Sequence, residues 1–412
     1  MPLSSDNRIM ALQLLAECGR VSRQGLLDIL PFSYRNKCLV IKKLVDDKLI
    51  GAAGNSRADE SYSLLKNGRD ELSRLNPQRY TADLFELNNL LKKNPEQSRL
   101  CGDIAAAMSL AGYAVHPADK PILPAVTPDY EAYTPDTMKS IYRNERPHVY
   151  GEILPNHTKY TRRITPVNCY YDRSQIKLTR ESATDNGSRG ARAAGALFTP
   201  THLFRVYHGE DTNIKFFRNS EEHFYSLLEE VFKGYRPPEK KAVLLFGRDF
   251  APAESLLDIH LNNKRDVKNK GILLGPSNLG APLHYLPLSA RAQELLRVMR
   301  YPDWHMSITT FASEIRFGIR GRQAWVYDHE GRRVYIVADL NLTHMATALR
   351  QIAGNPKRKA VFLCLPWQAE FIEEQTRFYS DDNPLVELDC LPADFLTKTT
   401  IQVLENYWGG DI

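Results

Sequence analysis

Apolar residues recur at helical spacing in two short stretches near the start of the chain. The first opens at Asp6 and stops at Gly19; the second follows Ser22, a residue type that caps helices, and stops at the helix breaker Pro31. Their apolar faces consist of Ile9, Leu12, Leu15 and Ala16 in the first stretch and of Leu26, Leu27 and Leu30 in the second. The pattern therefore predicts two short helices before residue 31.

A third stretch, SYRNKCLVIKKLVDDKLIG, predicts a longer helix that Ser33 caps. The apolar stripe of this helix is predicted to face the core and consists of Tyr34, Cys38, Ile41 and Val45. The opposite face then presents polar and basic side chains to solvent, namely Ser33, Arg35, Asn36, Lys37 and Lys43.

The residues that follow predict a β-hairpin and a closing helix. Leu49 and Ile50 begin one strand, residues 62–65 form the other, and the polar loop GAAGNSRADES between them places Arg57 at its tip. A turn at residues 67–68 then leads into a helix that ends at Leu75. Three short helices followed by a hairpin predict a winged helix-turn-helix domain over residues 6–76.

In such a domain the third helix is the recognition helix, which enters the major groove of duplex DNA. Arg and Asn side chains make bidentate contacts to base edges, and Lys side chains contact phosphates. The DNA contacts are therefore predicted to be Arg35, Asn36 and Lys37 in recognition, Lys43 and Arg57 on phosphates, and Ser33 beside them. Residues 1–80 contain 13 Lys and Arg against 9 Asp and Glu, most of the whole chain's excess of +5. Winged helices also dock onto proteins, and that alternative stays open.

The middle of the chain predicts a helix, then a connector, then a basic segment. RYTADLFELNNLLKKN and SRLCGDIAAAMSLAGYAV are predicted to be helical, and the small residues of the second stretch suit tight packing or a dimer contact. HPADKPILPAVTPDYEAYTP is dense in proline and predicts an extended connector. Residues 136–180 interleave Tyr with Arg and Lys, which suits either nucleic-acid stacking or an exposed strand surface. These features divide the chain into predicted domains at residues 1–78, 79–135 and 136–412.

From residue 188 onward, apolar strands alternate with amphipathic helices. ALFTPTHLFRVYHG and NIKFFR are predicted to pair around the turn EDT, and QAWVYDHEGRRVYIVADL predicts a hairpin with Gly331 in its turn. Short strands are also predicted at KAVLLFG, HYLPL, KAVFLCLP and LVELDCLP, and helices are predicted at SEEHFYSLLEEVFKGY and between these strands. This alternation predicts a mixed α/β domain with helices on the faces of its sheet.

Composition narrows the class of protein. The 412 residues are 43% hydrophobic and 25% charged, as in globular chains of two or three domains. No stretch has the apolar length of a membrane span or a secretory signal, and the six cysteines are scattered singly without a CxxC pair. A cytoplasmic protein with reduced thiols and no membrane partner is therefore expected.

The order of these motifs resembles that of the replication-relaxation proteins of plasmids and integrative conjugative elements. The resemblance covers roughly residues 7–300 and is carried by the predicted winged helix, YAVHPADKPIL, SRGARAAGALFTPTHLFRVYHGEDTNIKFFRNSEEHF and HYLPLSARAQELLRVM. It implies a cytoplasmic, DNA-associated accessory factor of element replication or mobilisation. It also implies a restriction-endonuclease-like fold for the C-terminal part.

A nuclease of that fold binds Mg²⁺ through acidic residues on a hairpin and a nearby Glu-x-Lys. Weak candidates are Asp211 and Lys215 with an acid from the following helix (Glu221, Glu222 or Glu229), and a second set of Asp328, Glu330 and Asp339. Neither set shows the required pairing on adjoining strands, and turn or solvated positions explain most of these acids. His202, His208 and His223 have no metal-ligand spacing, so structural roles are predicted for them. The chain has no GxxxxGK[ST] motif for a P-loop.

The sequence thus favours a non-enzymatic DNA-binding protein that needs no cofactor. Its N-terminal domain reads double-stranded DNA, and its α/β domain recruits a relaxase, a replication protein or a second copy of the chain. Two alternatives remain: an Mg²⁺-dependent nuclease, and a winged helix that docks onto a protein.

Overall fold

The computed structural model contains helices together with antiparallel and mixed sheets, so the chain is a mixed α and β protein. The structure describes residues 6–54, 56, 60–82, 84–85, 95–120, 167–173, 176, 193–209, 215–216, 238, 240–262, 272–273, 281–380 and 385–408. Within these ranges, no helix has the length and apolar character that a bilayer span requires.

Residues 7–75 form four helices and a small sheet, which we call the N-terminal unit. The helices are α1 (Asn7–Cys18), α2 (Arg23–Ile29), α3 (Tyr34–Asp46) and α4 (Lys66–Leu75), and the strands are β1 (Val21–Ser22), β2 (Ile50–Ala53) and β3 (Ser61–Leu64). β3 lies between β1 and β2 and pairs antiparallel with both. The four predicted helices and the predicted hairpin are therefore present, and β1 adds a third strand.

Side-chain oxygens cap the first three helices of this unit. Asp6 caps α1, Ser22 accepts a hydrogen bond from the amide of Gly25 in α2, and Ser33 accepts one from the amide of Asn36 in α3. These amides have no carbonyl partner within their helix, so each cap fixes where its helix begins. The predicted caps Ser22 and Ser33 are confirmed.

Helix α5 (Pro95–Leu110) packs against α1, α2 and β1. The approach is close, since a Cβ atom added to Gly102 would lie 1.7 Å from the carbonyl oxygen of Arg20. The small residues predicted for tight packing are buried within the chain: Ala105, Ala106, Ala107 and Ala111. The other helical stretch predicted nearby, RYTADLFELNNLLKKN, lies mostly outside the described residues.

The larger sheet has the strand order β10-β8-β6-β5-β4. Its members are β4 (Cys169–Asp172), β5 (Gly195–Phe198), β6 (His202–Gly209), β8 (Lys240–Gly247) and β10 (Leu283–Pro287), and a separate pair consists of β7 (Lys215–Phe216) and β9 (Ile272–Leu273). β4, β5 and β6 are antiparallel neighbours, whereas β8 and β10 run parallel to β6. Helices α6 (Ala251–Asn262) and α7 (Ala292–Val298) follow β8 and β10.

The pairing predicted around the turn EDT is wrong. β6 pairs with β5 and β8, while β7 pairs with β9. The chain reverses earlier, at residues 199–202, where the amide of Thr199 donates to the carbonyl of His202 and the Thr199 hydroxyl accepts from the His202 amide. Pro200 has no backbone N–H group to donate a hydrogen bond to a neighbouring strand, so it suits this turn.

A second sheet has the order β11-β12-β13-β14. Its strands are β11 (Val326–His329), β12 (Arg332–Ile336), β13 (Ala360–Cys364) and β14 (Val386–Cys390). The helices around it are α8 (Trp304–Phe317), α9 (Leu342–Gly354), α10 (Ala369–Ser380) and α11 (Phe395–Trp408). The hairpin predicted around Gly331 is confirmed, with positive φ at Glu330 and Gly331 as a tight turn requires. The hydrophobic pattern does not predict α8 or α11, which pack together through the stacked rings of Phe311 and Phe395.

The basic, tyrosine-rich segment at 136–180 is described only at residues 167–173 and 176. Within that part Tyr170 and Tyr171 are fully buried in β4. These two rings therefore do not offer a stacking surface for nucleic acid. The helix predicted at SEEHFYSLLEEVFKGY lies outside the described residues.

Candidate functional site

Helix α3 turns a different face to the core from the one that its apolar stripe predicts. Its buried residues are Lys37, Ile41 and Leu44, whereas Tyr34 is 66% exposed. Of the predicted stripe only Ile41 is fully buried, since Cys38 and Val45 are partly exposed. The reason is that the long apolar stem of Lys37 fills a core position, which rotates the buried face of the helix away from Tyr34.

Lys37, predicted among the DNA contacts, is buried instead, with 8% of its surface exposed. Its ammonium donates a hydrogen bond to the carbonyl oxygen of Leu27, near the end of α2. Burial lowers the pKa of Lys37, and the carboxylate of Asp28 opposes that shift. The prediction that Lys37 lies on the exposed face of α3 is therefore wrong, and an ammonium held in this way is not free to bind a phosphate.

The carbonyl groups at the end of α2 are held from outside the helix. The carbonyl of Asp28 accepts from the amide of Ala290 at 3.1 Å, and that of Ile29 accepts from the side-chain amide of Gln293 at 2.7 Å. The last carbonyls of a helix have no intrahelical donors and need such partners when buried. Because Ala290 and Gln293 belong to the α/β part, that part fixes the position of the turn between α2 and α3.

The other end of α2 is anchored to α5. The amide and the hydroxyl of Ser22 donate to the carboxylate of Asp103 at 2.7 and 2.6 Å. Burial raises the pKa of Asp103 to about 6, and the two hydrogen bonds from Ser22 partly offset that rise. Both ends of the helix before α3 are thus fixed by buried polar contacts.

The exposed face of α3, which we call the basic face, is centred on Leu39. Helical spacing places Arg35 one turn before Leu39 and Lys43 one turn after it, with Asn36 and Lys42 on the flanks. All five residues are exposed, and among the described residues no hydrogen bond or ion pair engages the Arg35, Lys42 or Lys43 side chains. The face therefore presents three free cations and an amide around one apolar residue.

Two further residues limit the basic face. Ser33 stands at its start, and its hydroxyl already accepts from the amide of Asn36 at 3.5 Å as the helix cap. Asp46 is exposed in the last turn and brings a negative charge to that end. Lys42 is absent from the predicted DNA contacts, although it lies seven residues after Arg35 and therefore on the same helical face.

A groove of about 510 Å³ lies beside the basic face. On α3 it is lined by the residues predicted as the core stripe, Tyr34, Cys38, Ile41 and Val45, and by Lys42 and Asp46. Residues of α2 and β3, including Leu27 and Tyr62, form its other wall. Arg23 and Glu60, which also line it, form an ion pair at 3.3 Å. Burial and the neighbouring Glu60 raise the pKa of Tyr62 to about 12.

The tip of the β2–β3 hairpin is only partly described. β2 ends at Ala53 and Gly54 follows with φ of 141°, a conformation that favours glycine. Arg57, predicted to contact DNA from this tip, lies outside the described residues.

The first set of nuclease candidates is largely outside the described residues. This holds for Asp211, Glu221, Glu222 and Glu229, and Lys215 is described only as backbone in β7, paired with Leu273. The β5–β6 hairpin, residues 193–209, contains no Asp or Glu at all. The two strands of this hairpin therefore offer no carboxylate for Mg²⁺.

The second set does not form a metal site either. Asp328 is exposed and pairs with Arg333 and Arg358, which lower the pKa of its carboxyl. Asp339 is buried after β12, where burial raises its pKa to about 7 and the amide of Asn341 donates to it at 3.2 Å. Among the described residues no three His, Cys, Asp or Glu side chains are arranged to hold a metal ion.

The structure gathers four histidines that the sequence does not group. His202, His284 and His305 surround the buried ring of Trp304, and His344 stacks on Trp325 with ring centres 4.1 Å apart. Burial lowers the pKa of His202 to about 4, of His284 to about 3 and of His344 to about 4. These neutral rings act as core aromatics, in line with the structural role predicted for His202; His223 lies outside the described residues.

Comparison of the chain with protein-family models, curated proteins and solved structures found no match.

Proposed function

We propose that the chain binds double-stranded DNA through the basic face of α3 and acts as a non-enzymatic accessory protein. The observation that carries the proposal is the set of free cations, Arg35, Lys42 and Lys43, on one exposed face of α3. The preceding helix α2 is held at both ends by hydrogen bonds to other elements. DNA presents a dense row of phosphates, and unpaired Lys and Arg side chains bind it by releasing the condensed counterions.

The element order of the N-terminal unit supports a winged helix-turn-helix domain, with α2 and α3 as the helix-turn-helix pair and the β2–β3 hairpin as the wing. In such domains the N-terminal residues of the recognition helix face the base edges. Arg35 and Asn36 lie in the first turn of α3 and would read bases, while Lys42 and Lys43 would contact phosphates. Arg35→Ala is then expected to cost about 1–3 kcal/mol at the cognate site.

For the α/β part we propose recruitment of a relaxase, a replication protein or a second copy of the chain, as the resemblance to replication-relaxation proteins implies. A three-strand antiparallel meander continued by parallel strands supports a restriction-endonuclease-like sheet. The lack of any carboxylate on the β5–β6 hairpin argues against the alternative of an Mg²⁺-dependent nuclease using those strands.

A second candidate function is protein docking through the groove beside α3. It is favoured by the exposed ring of Tyr34 at the rim of that groove, together with partly exposed Cys38 and Val45. A docking module of this kind would use the groove side of α3, which includes Lys42, and would leave Arg35, Leu39 and Lys43 free. The two functions therefore predict different sensitive residues on one helix.

The test compares two double variants that remove the same charge. Lys42→Ala/Lys43→Ala removes cations of the basic face, and Lys357→Ala/Lys359→Ala removes two exposed lysines beside β13. Fluorescence anisotropy of a labelled random duplex, titrated over salt with full-length proteins, measures the affinity of each. Full-length protein is needed because the α/β part holds the end of α2.

If DNA binds through α3, the affinity of the wild type falls steeply with salt concentration. Only the Lys42→Ala/Lys43→Ala variant should then show a shallower slope of log affinity against log salt. An equal slope for all three proteins would move the DNA surface away from α3. Absence of binding by folded wild-type protein would overturn the proposal and favour docking through the groove.

A further inference from the structure

An apolar side chain stands at the centre of the basic face. Leu39 is 55% exposed and points away from the core, since Lys37, Ile41 and Leu44 occupy the opposite side of α3. A single exposed leucine is ordinary on a protein surface. Here, however, its neighbours one turn away on the same face are Arg35, Asn36, Lys42 and Lys43, all of which are polar and exposed.

We infer that Leu39 reads thymine, by packing against the 5-methyl group in the major groove. The inference rests on the proposed binding of DNA through α3. The methyl group of thymine is the one apolar feature that a base edge presents in the major groove, and apolar side chains recognise it by contact. A leucine among cations that face DNA has no phosphate or base acceptor to bind, so this methyl group is its chemical complement.

The position of Leu39 along the helix supports a base contact. Leu39 lies four residues after Arg35 and three after Asn36. The three side chains are therefore neighbours on one face of α3, with Leu39 one turn after the other two. Arg pairs with guanine and Asn with adenine in this groove. The recognised half-site is therefore expected to hold a thymine beside a guanine or an adenine.

The groove beside the basic face does not explain the exposure of Leu39. Of the basic face only Lys42 lines that groove, beside Tyr34, Cys38 and Val45, and Leu39 is not part of its wall. A partner seated in the groove would leave Leu39 in water. Leu39 therefore belongs to the same surface as Arg35 and Lys43.

Exchanging thymine for uracil tests the contact, because it removes the methyl group and keeps every hydrogen-bonding atom of the base pair. A duplex is first selected from a random pool by the full-length protein, and each thymine is then replaced singly by deoxyuridine. Burial of one methyl group changes affinity roughly fourfold. We expect one thymine of the site to show a loss of roughly that size with wild-type protein.

The variant Leu39→Ala is expected to bind the thymine and uracil forms of that site equally. Leu75→Ala is the matched control, since Leu75 lies on α4 and is also 55% exposed; it should keep the wild-type preference. Both variants lose only exposed apolar surface, so thermal unfolding should match that of the wild type.

The inference is overturned if wild-type protein binds the selected duplex but no thymine shows a methyl preference. It is equally overturned if Leu39→Ala keeps the preference, or if Leu39→Ala alters only the oligomeric state of the protein in sedimentation. Failure of the proposed function looks different: wild-type protein then selects no duplex, or the Lys42→Ala/Lys43→Ala variant binds DNA as the wild type does.

Discussion

Lys37 and Lys43 lie on the same helix and carry the same charge, yet the structure gives them different surroundings. The Lys43 side chain is exposed and free, whereas the Lys37 ammonium donates to the carbonyl of Leu27. Replacing either lysine by Met removes one charge and keeps an unbranched side chain. The variants Lys37→Met and Lys43→Met therefore separate DNA binding from folding.

The effect on DNA binding is read from the salt dependence of affinity. Each neutralised phosphate contributes roughly 0.9 to the slope of log affinity against log salt, or about 3.5-fold between 50 and 200 mM. Lys43→Met is expected to lower the slope by about 0.9. Lys37→Met is expected to leave the slope unchanged, because its buried ammonium contacts no phosphate.

The effect on stability is expected to be reversed. Lys37→Met leaves the buried carbonyl of Leu27 without its donor, which costs about 1–3 kcal/mol, while the Met side chain keeps most of the packing of the lysine stem. We expect a net loss of about 1 kcal/mol in the free energy of unfolding. Lys43→Met changes a free surface residue and is expected to stay within about 0.5 kcal/mol.

Fluorescence anisotropy over a salt series measures the slopes, and urea unfolding followed by circular dichroism measures the stabilities. A slope for Lys37→Met that falls as far as that for Lys43→Met would refute the orientation of α3. Equal unfolding free energies for Lys37→Met and wild type would refute the role of Lys37 at the end of α2.

Three further predictions concern the core. Asp339→Asn is expected to stabilise the chain by up to about 4 kcal/mol at pH 8: burial holds the pKa of Asp339 at about 7, so wild-type stability falls as pH rises from about 4 to 7. Equal urea midpoints of the two proteins at pH 8 would contradict this. His284, whose pKa burial lowers to about 3, acts oppositely: the unfolded chain takes up a proton that the folded chain excludes, so its contribution is lost as pH falls below about 6.5. His284→Phe should therefore show a smaller drop in urea midpoint between pH 7 and 5 than wild type; parallel drops would count against it. Gly102→Ala is expected to cost about 1–3 kcal/mol because its Cβ would collide with the Arg20 carbonyl, whereas Gly354→Ala, with open space around it, should cost little. Similar melting temperatures for these two variants would show that the α5 contact is looser than described.

The N-terminal helices could be predicted because their signals are local. A cap such as Ser22 or Ser33 acts within three residues, and a helix ends where Gly19 or Pro31 interrupts it. The hairpin around Gly331 was equally readable, since its tight turn demands positive φ. Signals of this range do not depend on the rest of the fold.

The face that α3 buries could not be predicted from its apolar stripe. The hydrophobic pattern counts Lys37 as a polar residue. Its aliphatic stem nevertheless packs in the core, because its ammonium donates a hydrogen bond to the carbonyl of Leu27. That acceptor belongs to another helix, so no pattern within α3 reveals it. The neighbours of β6 were misjudged for a related reason, because β8 lies some thirty residues further along the chain.

The sequence by itself determined where the short helices of the N-terminal unit begin and end, and that helices and strands alternate in the C-terminal part, because caps, breakers and periodicity act over a few residues. Only the tertiary structure decided which α3 residues are exposed to solvent. Their exposure depends on the carbonyl of Leu27 and on the hydrogen bonds that Ala290 and Gln293 donate to the end of α2. The tertiary structure also decided that His202, His284 and His305 surround Trp304, since strand pairing joins positions a hundred residues apart. The burial of a side chain and its hydrogen-bond partners depend on residues that are distant in sequence. They determine the pKa of the side chain and whether it is free to bind a ligand.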